Sequence, residues 1–301
     1  MNKVLITGGT GLVGSMVKGD IKLGSKDADL RDFNQVKAIF EKYKPTKVVH
    51  LAARVGGVGG NIKAKGEFYF DNIMINTNIL EACRIYNVEK TLSFLSTCIF
   101  PDNVEYPLTE DKIHLGAPHL SNYGYAYAKR MLDVQSYVYN DQYDMNCISV
   151  IPTNIFGPND NFNIENGHVI PSLIHKCYLA KQNNTPFIVW GSGKPLREFV
   201  YSEDIGKLTN WALENYNSVD PIILSTSHEV SIKFVVGLIV NAFNFKGDVI
   251  FDTSLPEGQF RKPADNSKLK SYLPNFKFTS IEEGILKTVK WFIKNYQTAR
   301  K

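Results

Sequence analysis

The sequence lacks the features that would indicate a membrane, metal or nucleic-acid-binding protein. It has no apolar run long enough to span a bilayer, and a strand pattern beginning at residue 3 leaves no room for a signal peptide. Its four cysteines are scattered and show no metal-ligand spacing. The net charge of +4 arises without a long Lys/Arg run, which does not favour nucleic acid or a membrane surface. We therefore expect a reduced, cytoplasmic chain with no structural metal.

The composition is that of an ordinary globular protein, and its pattern predicts an α/β fold. The 301 residues are 44% hydrophobic and 21% charged, which suffices for one large or two moderate domains. Short apolar runs alternate with helical patterns through residue 151, as is typical of a doubly wound parallel sheet. We predict a Rossmann-type domain over residues 1–155 and a smaller α+β substrate domain over 156–301, with chain crossovers allowed between them.

A glycine-rich turn follows the first predicted strand, at residues 3–7. Its glycines form a GxxGxxG variant of the dinucleotide fingerprint. Glycine there permits a tight turn, close approach of the backbone to a diphosphate, and close packing of a following helix. We expect a truncated first helix, because residues 14–29 leave little room for a helix and a second strand. The candidate cofactor residues of the turn are Gly8, Gly9, Thr10, Gly11, Leu12, Val13 and Gly14.

The second predicted strand, at residues 20–23, is followed by Gly24, Ser25 and Lys26. An enzyme that uses NAD usually has an acidic residue at this position, where it binds the ribose hydroxyls. A serine and a lysine suit a 2′-phosphate instead, so we predict NADP (NADPH). The alternative for Lys26 is an ordinary solvated lysine of a loop. Asp29 and Leu30 follow where a loop could flank the adenine.

Other candidates lie where later strands end, since ligands bind beyond the carboxyl ends of parallel strands. Ala52 and Ala53 end a strand predicted at 48–52, and Ser96 and Cys98 end one predicted at 92–96. A further strand is predicted at 146–152. The predicted helices cover 33–42, 72–86, 125–142, 169–182, 202–215, 232–243 and 280–297.

Tyr125 and Lys129 share one face of the helix predicted at 125–142, because they are four residues apart. A nearby ammonium favours the phenolate, so a phenol that normally titrates near about pH 10 could exchange protons closer to neutrality. Tyr127 points elsewhere. Taken alone, the spacing arises often by chance, and an amphipathic helix surface is the better explanation.

Together, these segments resemble the extended short-chain dehydrogenase/reductases over nearly the whole chain. The superfamily pattern is the turn at 7–14 and the Tyr125/Lys129 pair. More specific segments resemble the branch of the superfamily that acts on GDP-linked 4-keto-6-deoxy sugars. These segments are 96–101, 122–130, 152–158, 160–163, 167–169, 190–195, 251–253 and 265–269.

The resemblance implies that GDP-4-keto-6-deoxymannose is epimerised at C3 and C5, and that NADPH then reduces the C4 ketone to give GDP-L-fucose. It implies that Cys98 is the base and His168 the acid of the epimerisations, since a thiol and an imidazole both exchange protons near neutral pH. Tyr125 would protonate the C4 oxygen, and Ser96 would donate a hydrogen bond to the ketone. Lys129 would lower the Tyr125 pKa and hold the nicotinamide ribose.

The resemblance also implies further contacts and an assembly. The additional cofactor residues are Ala52, Ala53, Asn72, Leu95, Pro152, Thr153, Asn154 and Ile155, with Ser96, Tyr125, Lys129 and His168 shared with the catalytic set. The substrate residues are Ser96, Cys98, Asn154, Lys176, Trp190, Arg197 and Lys262, among which Lys176 and Arg197 would bind the diphosphate. A homodimer through the helices at 72–86 and 125–142 is implied, with no nucleic-acid or membrane partner.

Two other interpretations stay open. Another nucleotide-sugar 4-reductase, a 4-epimerase or a 4,6-dehydratase with tightly held NAD would not need the Cys98/His168 pair. A cofactor-binding sensor without turnover could lose Tyr125, Lys129 and Ser96, so their presence argues against it. Taken singly, Cys98 would be a buried small side chain and His168 a helix-start residue.

Overall fold

The structure is a computed structural model that describes residues 3–255 and 259–301. Its strands are β1 (Val4–Thr7), β2 (Ile21–Leu23), β3 (Lys47–His50), β4 (Lys90–Phe94), β5 (Cys147–Pro152), β6 (Asn154–Phe156), β7 (Phe187–Trp190), β8 (Leu196–Tyr201), β9 (Ile222–Leu224), β10 (Glu229–Ser231) and β11 (Val249–Asp252). Its α-helices are α1 (Phe33–Tyr43), α2 (Val58–Lys63), α3 (Lys65–Ile85), α4 (Tyr123–Tyr143), α5 (Val169–Asn183), α6 (Ser202–Asn215), α7 (Ile232–Phe243), α8 (Ser267–Tyr272) and α9 (Ile281–Lys294).

Six strands form one parallel sheet in the order β2-β1-β3-β4-β5-β9. Every residue of β4 and β5 is buried, because helices cover both faces of the sheet. The Rossmann-type prediction is therefore confirmed. Since the order places β1 and β3, then β4 and β5, side by side, their carboxyl ends bring the predicted site residues to one edge.

Two small sheets, β10-β8-β6 and β11-β7, lie apart from the large one. Together with α5, α7 and α9 they enclose a second apolar core. The chain passes between the two cores more than once. After β7 and β8 it returns to add β9 to the large sheet, so residues beyond 155 belong to both.

The first crossover contains no helix, which corrects the prediction that the glycine turn opens one. Residues 8–17 form successive turns, in which Gly11 N donates to Gly8 O at 3.1 Å and Ser15 N to Gly11 O at 3.0 Å. With β2 starting at Ile21, the connection is close to the dozen or so residues that a parallel crossover needs at minimum. Val13 and Val17 are still buried in the same cluster as residues of α6, so the turns cover the sheet where a helix would normally lie.

Helix α3 begins at Lys65, before the predicted start at residue 72, and α9 ends at Lys294, before the predicted end at 297. In α3 the sequence pattern misleads because much of the buried face is polar. Asp71, Asn72 and Asn76 are all buried there. Across residues 3–255 and 259–301, no helix is long and apolar enough to cross a bilayer.

Gly14 and Gly11 differ in how tightly the turns enclose them. A Cβ added at Gly14 would collide with the Gly8 carbonyl oxygen and lie 2.5 Å from Gly9 Cα, whereas at Gly11 the nearest atom, Gly8 O, is 3.3 Å away. We expect Gly14→Ala to lower the free energy of unfolding of the ligand-free protein by about 1–3 kcal/mol. Gly11→Ala should cost clearly less. Urea denaturation measures both, and equal losses would contradict this packing.

Candidate functional site

The centre of the site is a short turn beyond β4. Ser96 begins a 3-10 turn at Thr97–Ile99, and its hydroxyl oxygen accepts a hydrogen bond from the Cys98 backbone N–H at 3.4 Å. The Cys98 thiol donates to the same oxygen at 3.0 Å. Both side chains are partly accessible. The structure therefore brings Ser96 and Cys98 into direct contact at the carboxyl edge of the sheet.

Helix α4 is hydrogen-bonded to the backbone on both sides of this turn. Lys129, which is 1% exposed, donates from Nζ to the Phe94 carbonyl at 2.8 Å. Its neighbour Arg130 donates from Nε to the Ile99 carbonyl at 2.7 Å. Burial lowers the pKa of Lys129 to about 8, although the negative charge that Cys98 can carry opposes the shift. Sequence reasoning missed Arg130, and its position directly after the predicted lysine was the available signal.

Tyr125 lies one turn before Lys129 on α4 and is half-buried. Its pKa is raised, first by burial and then by the neighbouring Cys98, which differs from the expected lowering by Lys129. The reason is that the Lys129 ammonium donates to Phe94 O while the phenol is removed from water. The phenol is therefore protonated at neutral pH, which is the state that a proton donor needs.

The proposed acid/base pair carries one exchangeable proton. Burial raises the pKa of Cys98, while the Ser96 hydrogen bond and the Lys262 and Lys129 charges oppose the shift. Desolvation, and then the Arg300 charge, lowers the pKa of His168. The ligand-free protein thus favours a Cys98 thiol and a neutral imidazole. No hydrogen bond among the described residues joins the two groups.

His168 precedes α5 and reaches the cleft through the loop before it. Gly57 N, beyond β3, donates to the Asn166 carbonyl of that loop at 3.0 Å. A Cβ at Gly57 would lie 2.9 Å from Gly167 O. The His168 loop is therefore docked on the loop after β3, and His168 itself is exposed.

The glycine turn fits a dinucleotide at the ends of β1 and β3. Gly8 has φ +67°, and a Cβ there would lie 3.0 Å from the backbone nitrogen of Ala52. The Ala52 N–H in turn donates to Thr7 Oγ1 at 3.2 Å. Beyond β5, the buried hydroxyl of Thr153 has no hydrogen-bond partner among the described residues. Because no helix follows the turn, a diphosphate would meet only its N–H groups and no helix dipole.

The other predicted cofactor residues differ in their solvent exposure, and so in how much of each a cofactor could contact. Gly9, Val13, Leu95, Pro152 and Thr153 are buried. Thr10, Lys26 and Asn154 are exposed, whereas Gly11, Leu12, Asp29, Leu30, Ala53 and Ile155 are intermediate. The Val13 side chain belongs to the apolar core, so only its backbone could reach a cofactor.

Asn72 is held by the loop that follows β3, and its contact with the cofactor stays a prediction. It is fully buried, and Oδ1 accepts from Arg54 N at 3.0 Å. Its Nδ2 donates to Arg54 O at 3.0 Å and to Phe68 O at 2.7 Å. With both donors and one acceptor site engaged by the protein, Asn72 supports the loop after β3.

The predicted substrate residues form two groups. Lys176 Nζ lies 4.1 Å from the centroid of the Trp190 ring, which is 45% exposed. Burial lowers the pKa of both Arg197 and Lys262, and the nearby Arg197 charge lowers the pKa of Lys262 further. Asn154 donates to the Glu198 carbonyl at 2.8 Å. Three partly desolvated cations, Lys176, Arg197 and Lys262, suit a ligand with a diphosphate.

Comparisons with known proteins agree with this arrangement. A model of the NAD dependent epimerase/dehydratase family matches residues 4–225. A GDP-L-fucose synthase of Dictyostelium discoideum is 51% identical, with 99% of this chain and 97% of the relative covered. A probable GDP-L-fucose synthase of Drosophila melanogaster is 47% identical over the full length of both chains. The chain belongs to the GDP-L-fucose synthase family.

A solved structure of the same family supports the fold and the cofactor. A GDP-L-fucose synthetase from Naegleria fowleri, bound to NADP, has a TM-score of 0.95 and 51% identity. The match covers 100% of this chain and 95% of that one. The prediction of NADP as the cofactor is therefore confirmed, even though the first crossover of this chain lacks a helix.

The buried charge of Lys129 should lower the free energy of unfolding of the protein. In the folded chain Lys129 loses its proton as pH rises through its pKa of about 8, whereas in the unfolded chain it keeps the proton up to its ordinary pKa of 10.5. The buried charge therefore destabilises the fold most below pH 8, and this effect fades as pH rises from 8 towards 10.5. We expect Lys129→Met to raise the free energy of unfolding at pH 7 by about 1–2 kcal/mol.

Chemical denaturation across this pH range measures the effect. The gain should shrink steadily above pH 8, while exposed Lys290, changed to Met, serves as the control and should show no such trend. A loss of stability at pH 7, or a gain that does not depend on pH, would contradict the assignment.

Proposed function

We propose that this chain converts GDP-4-keto-6-deoxymannose to GDP-L-fucose, by epimerisation at C3 and C5 followed by NADPH-dependent reduction at C4. Membership of the family makes it an NADP-dependent epimerase and reductase. The observation that carries the proposal is the hydrogen-bonded Ser96–Cys98 pair beside Tyr125 and Lys129. A second proton-exchanging group next to a reductase pair is what inversion of a carbon beside a ketone requires.

We assign the cofactor to the carboxyl edge of the large sheet. The backbone N–H groups of the turn at residues 8–14 would hold the diphosphate, and the exposed Lys26 would pair with the 2′-phosphate. Lys129 would hold the nicotinamide ribose. When bound there, NADPH supplies the hydride for C4.

Each epimerisation needs one group that removes a proton and another that returns one to the opposite face. We assign these roles to Cys98 and His168, which lie on different elements. The expected roles make Cys98 the base and His168 the acid, which requires the proton on Cys98 in the ligand-free state to move first to His168. With the roles reversed, no prior transfer is needed. In either case, after one inversion the base holds a proton and the acid has lost one. Proton exchange with water must restore the starting protonation states before the second inversion.

Reduction uses a different proton. Tyr125, protonated in the ligand-free state because of its raised pKa, gives its proton to the C4 oxygen as the carbon receives hydride. Ser96 donates a hydrogen bond to the same oxygen. The phenolate that remains is buried one helical turn from the Lys129 ammonium, which then serves as its counter-charge.

The test follows proton exchange and reduction separately. In D₂O, Tyr125→Phe should slow NADPH oxidation by about 10²–10⁴-fold and still place deuterium at C3 and C5 of the sugar. Cys98→Ala should lose deuterium incorporation and turnover together. Tyr127→Phe, two residues from Tyr125, is the matched control and should behave as the unchanged protein. Absorbance of NADPH and NMR of the sugar measure the two steps.

Two outcomes would contradict the proposal. Full turnover by Cys98→Ala would remove Cys98 from the mechanism. Absence of deuterium at both carbons with the unchanged protein would favour a reductase that does not epimerise.

The chain should act as a homodimer through α3 and α4. These helices pack on each other and expose large apolar side chains on their outer surface, among them Phe70 at 59% and Tyr137 at 60%. Others are Tyr69, Tyr123, Met131, Val134 and Val138. A contiguous apolar surface of this kind favours association.

We also infer a cytoplasmic location, since all four cysteines are free.

The assembly can be tested by a single charge. Tyr137→Glu would place a carboxylate in the apolar surface, so we expect its mass in solution to fall to the 33.9 kDa of one chain. Ile293→Glu, at a residue 48% exposed on α9, is the control and should leave the dimer intact. Light scattering after gel filtration gives both masses, and a monomeric unchanged protein would overturn the assignment.

A further inference from the structure

One segment, residues 259–266, connects the substrate domain to the cofactor domain beside the site. On the cofactor side, Gln259 Nε2 donates to Asp102 Oδ1 at 2.6 Å. Leu108 N donates to Pro263 O at 2.9 Å, and Asp265 N donates to Leu108 O at 2.8 Å. This face of the segment is therefore held against the loop that follows the Cys98 turn.

On its other face, the segment is held by two carboxylates on paired strands. Glu198 of β8, only 2% exposed, accepts from Ala264 N at 3.1 Å through Oε1 and from Ser225 Oγ at 2.5 Å through Oε2. Glu229 of β10 pairs in register with Glu198 and accepts from Arg261 at 2.5 Å. The two anchor points at 261 and 264 lie on either side of Lys262 and Pro263.

Lys262 lies between the anchors, on the segment that is hydrogen-bonded to the loop after the Cys98 turn. It is half-buried, and its charge lowers the pKa of Cys98, while the Cys98 thiolate would raise the pKa of Lys262. Lys262 also faces Arg197 and Asp102, whereas Cys98 also faces Lys129 and Tyr125 from α4 and Ser96 from its own turn. Of the two cations that act on Cys98, Lys129 is fixed to Phe94 O, so the position of Lys262 is the one that the segment controls.

We propose that Glu198 is a positioning residue that, by holding residues 259–266, sets Lys262 beside Cys98 so that Lys262 stabilises the Cys98 thiolate. This gives Lys262 a role besides the diphosphate contact, and it rests on the proposed acid/base role of Cys98. A buried thiolate requires a nearby cation. A lysine with a flexible stem provides one only where its backbone is fixed.

The contribution of Glu198 is two hydrogen bonds. Its carboxylate accepts from one backbone N–H and one hydroxyl, and neither donor is charged. A glutamine can accept from Ala264 N and donate to Ser225 Oγ, so Glu198→Gln keeps both contacts. Glu198→Ala removes both and releases the segment at one anchor.

Alkylation of Cys98 by iodoacetamide reads out the thiolate in the full-length protein without substrate, because only the thiolate reacts. Cys83, Cys147 and Cys177 are buried, and Cys98→Ala provides the background rate. We expect Lys262→Met and Glu198→Ala to slow alkylation of Cys98 at pH 7.5 by about tenfold and to move the midpoint of the pH–rate curve upwards. Glu198→Gln and Lys290→Met should match the unchanged protein.

The outcomes separate positioning from mere loosening. If Glu198 only supports the fold, Glu198→Ala exposes the thiols and alkylation becomes faster, including at the buried cysteines, which overturns the proposal. An unchanged pH–rate curve for Lys262→Met also overturns it. Should Glu198→Ala not fold, Arg261→Gln releases the other anchor and should give the same upward shift. Since no substrate is present, failure here is distinct from failure of the deuterium test of the proposed function.

Discussion

The arrangement of the site depends on the hydrogen bond from the buried Lys129 ammonium to the Phe94 carbonyl. A charge removed from water must be given hydrogen bonds, and the end of a parallel strand offers a carbonyl that the ladder no longer uses. With Arg130 bonded to Ile99, α4 holds the Ser96–Cys98 turn at both ends. Tyr125 then takes its place from the helical repeat alone. One helix and one strand end thus determine the relative positions of four functional side chains.

The same burial sets the protonation state of each group. It raises the pKa of Tyr125 and Cys98 and lowers the pKa of Lys129 and His168, so all four shift towards their neutral forms. Clusters of such shifts are typical of functional sites. In this chain they explain why a tyrosine without a lowered pKa is suited to give up a proton only when an alkoxide forms on the substrate.

The sequence predicted most of the strands and helices, and it predicted the meeting of Ser96, Cys98, Tyr125 and Lys129, because these rest on periodicity and on strand-end topology. It does not show hydrogen-bond partners that are distant along the chain. The amide of Asn72 is engaged by Arg54 and Phe68, which no local pattern shows. The first crossover was predicted to hold a truncated helix, because glycine spacing and a short connection do not distinguish a short helix from successive turns. The first two turns of α3 were not predicted, because its buried face is largely polar and shows no apolar periodicity.

Cys98 and His168 lie on different parts of the fold, and this separation bears on the epimerisation chemistry proposed for them. Inverting a carbon requires groups on opposite faces of a sugar ring, and a single strand end cannot supply both. Cys98 comes from the end of β4, whereas His168 precedes α5, after the chain has left the large sheet. Their separation is then set by contacts between the domains, such as Gly57 with Asn166 and Leu108 with Pro263. The segments that connect the two cores therefore set the distance between Cys98 and His168. Under the roles proposed for this pair, residues far from the sugar would influence which ring can be inverted.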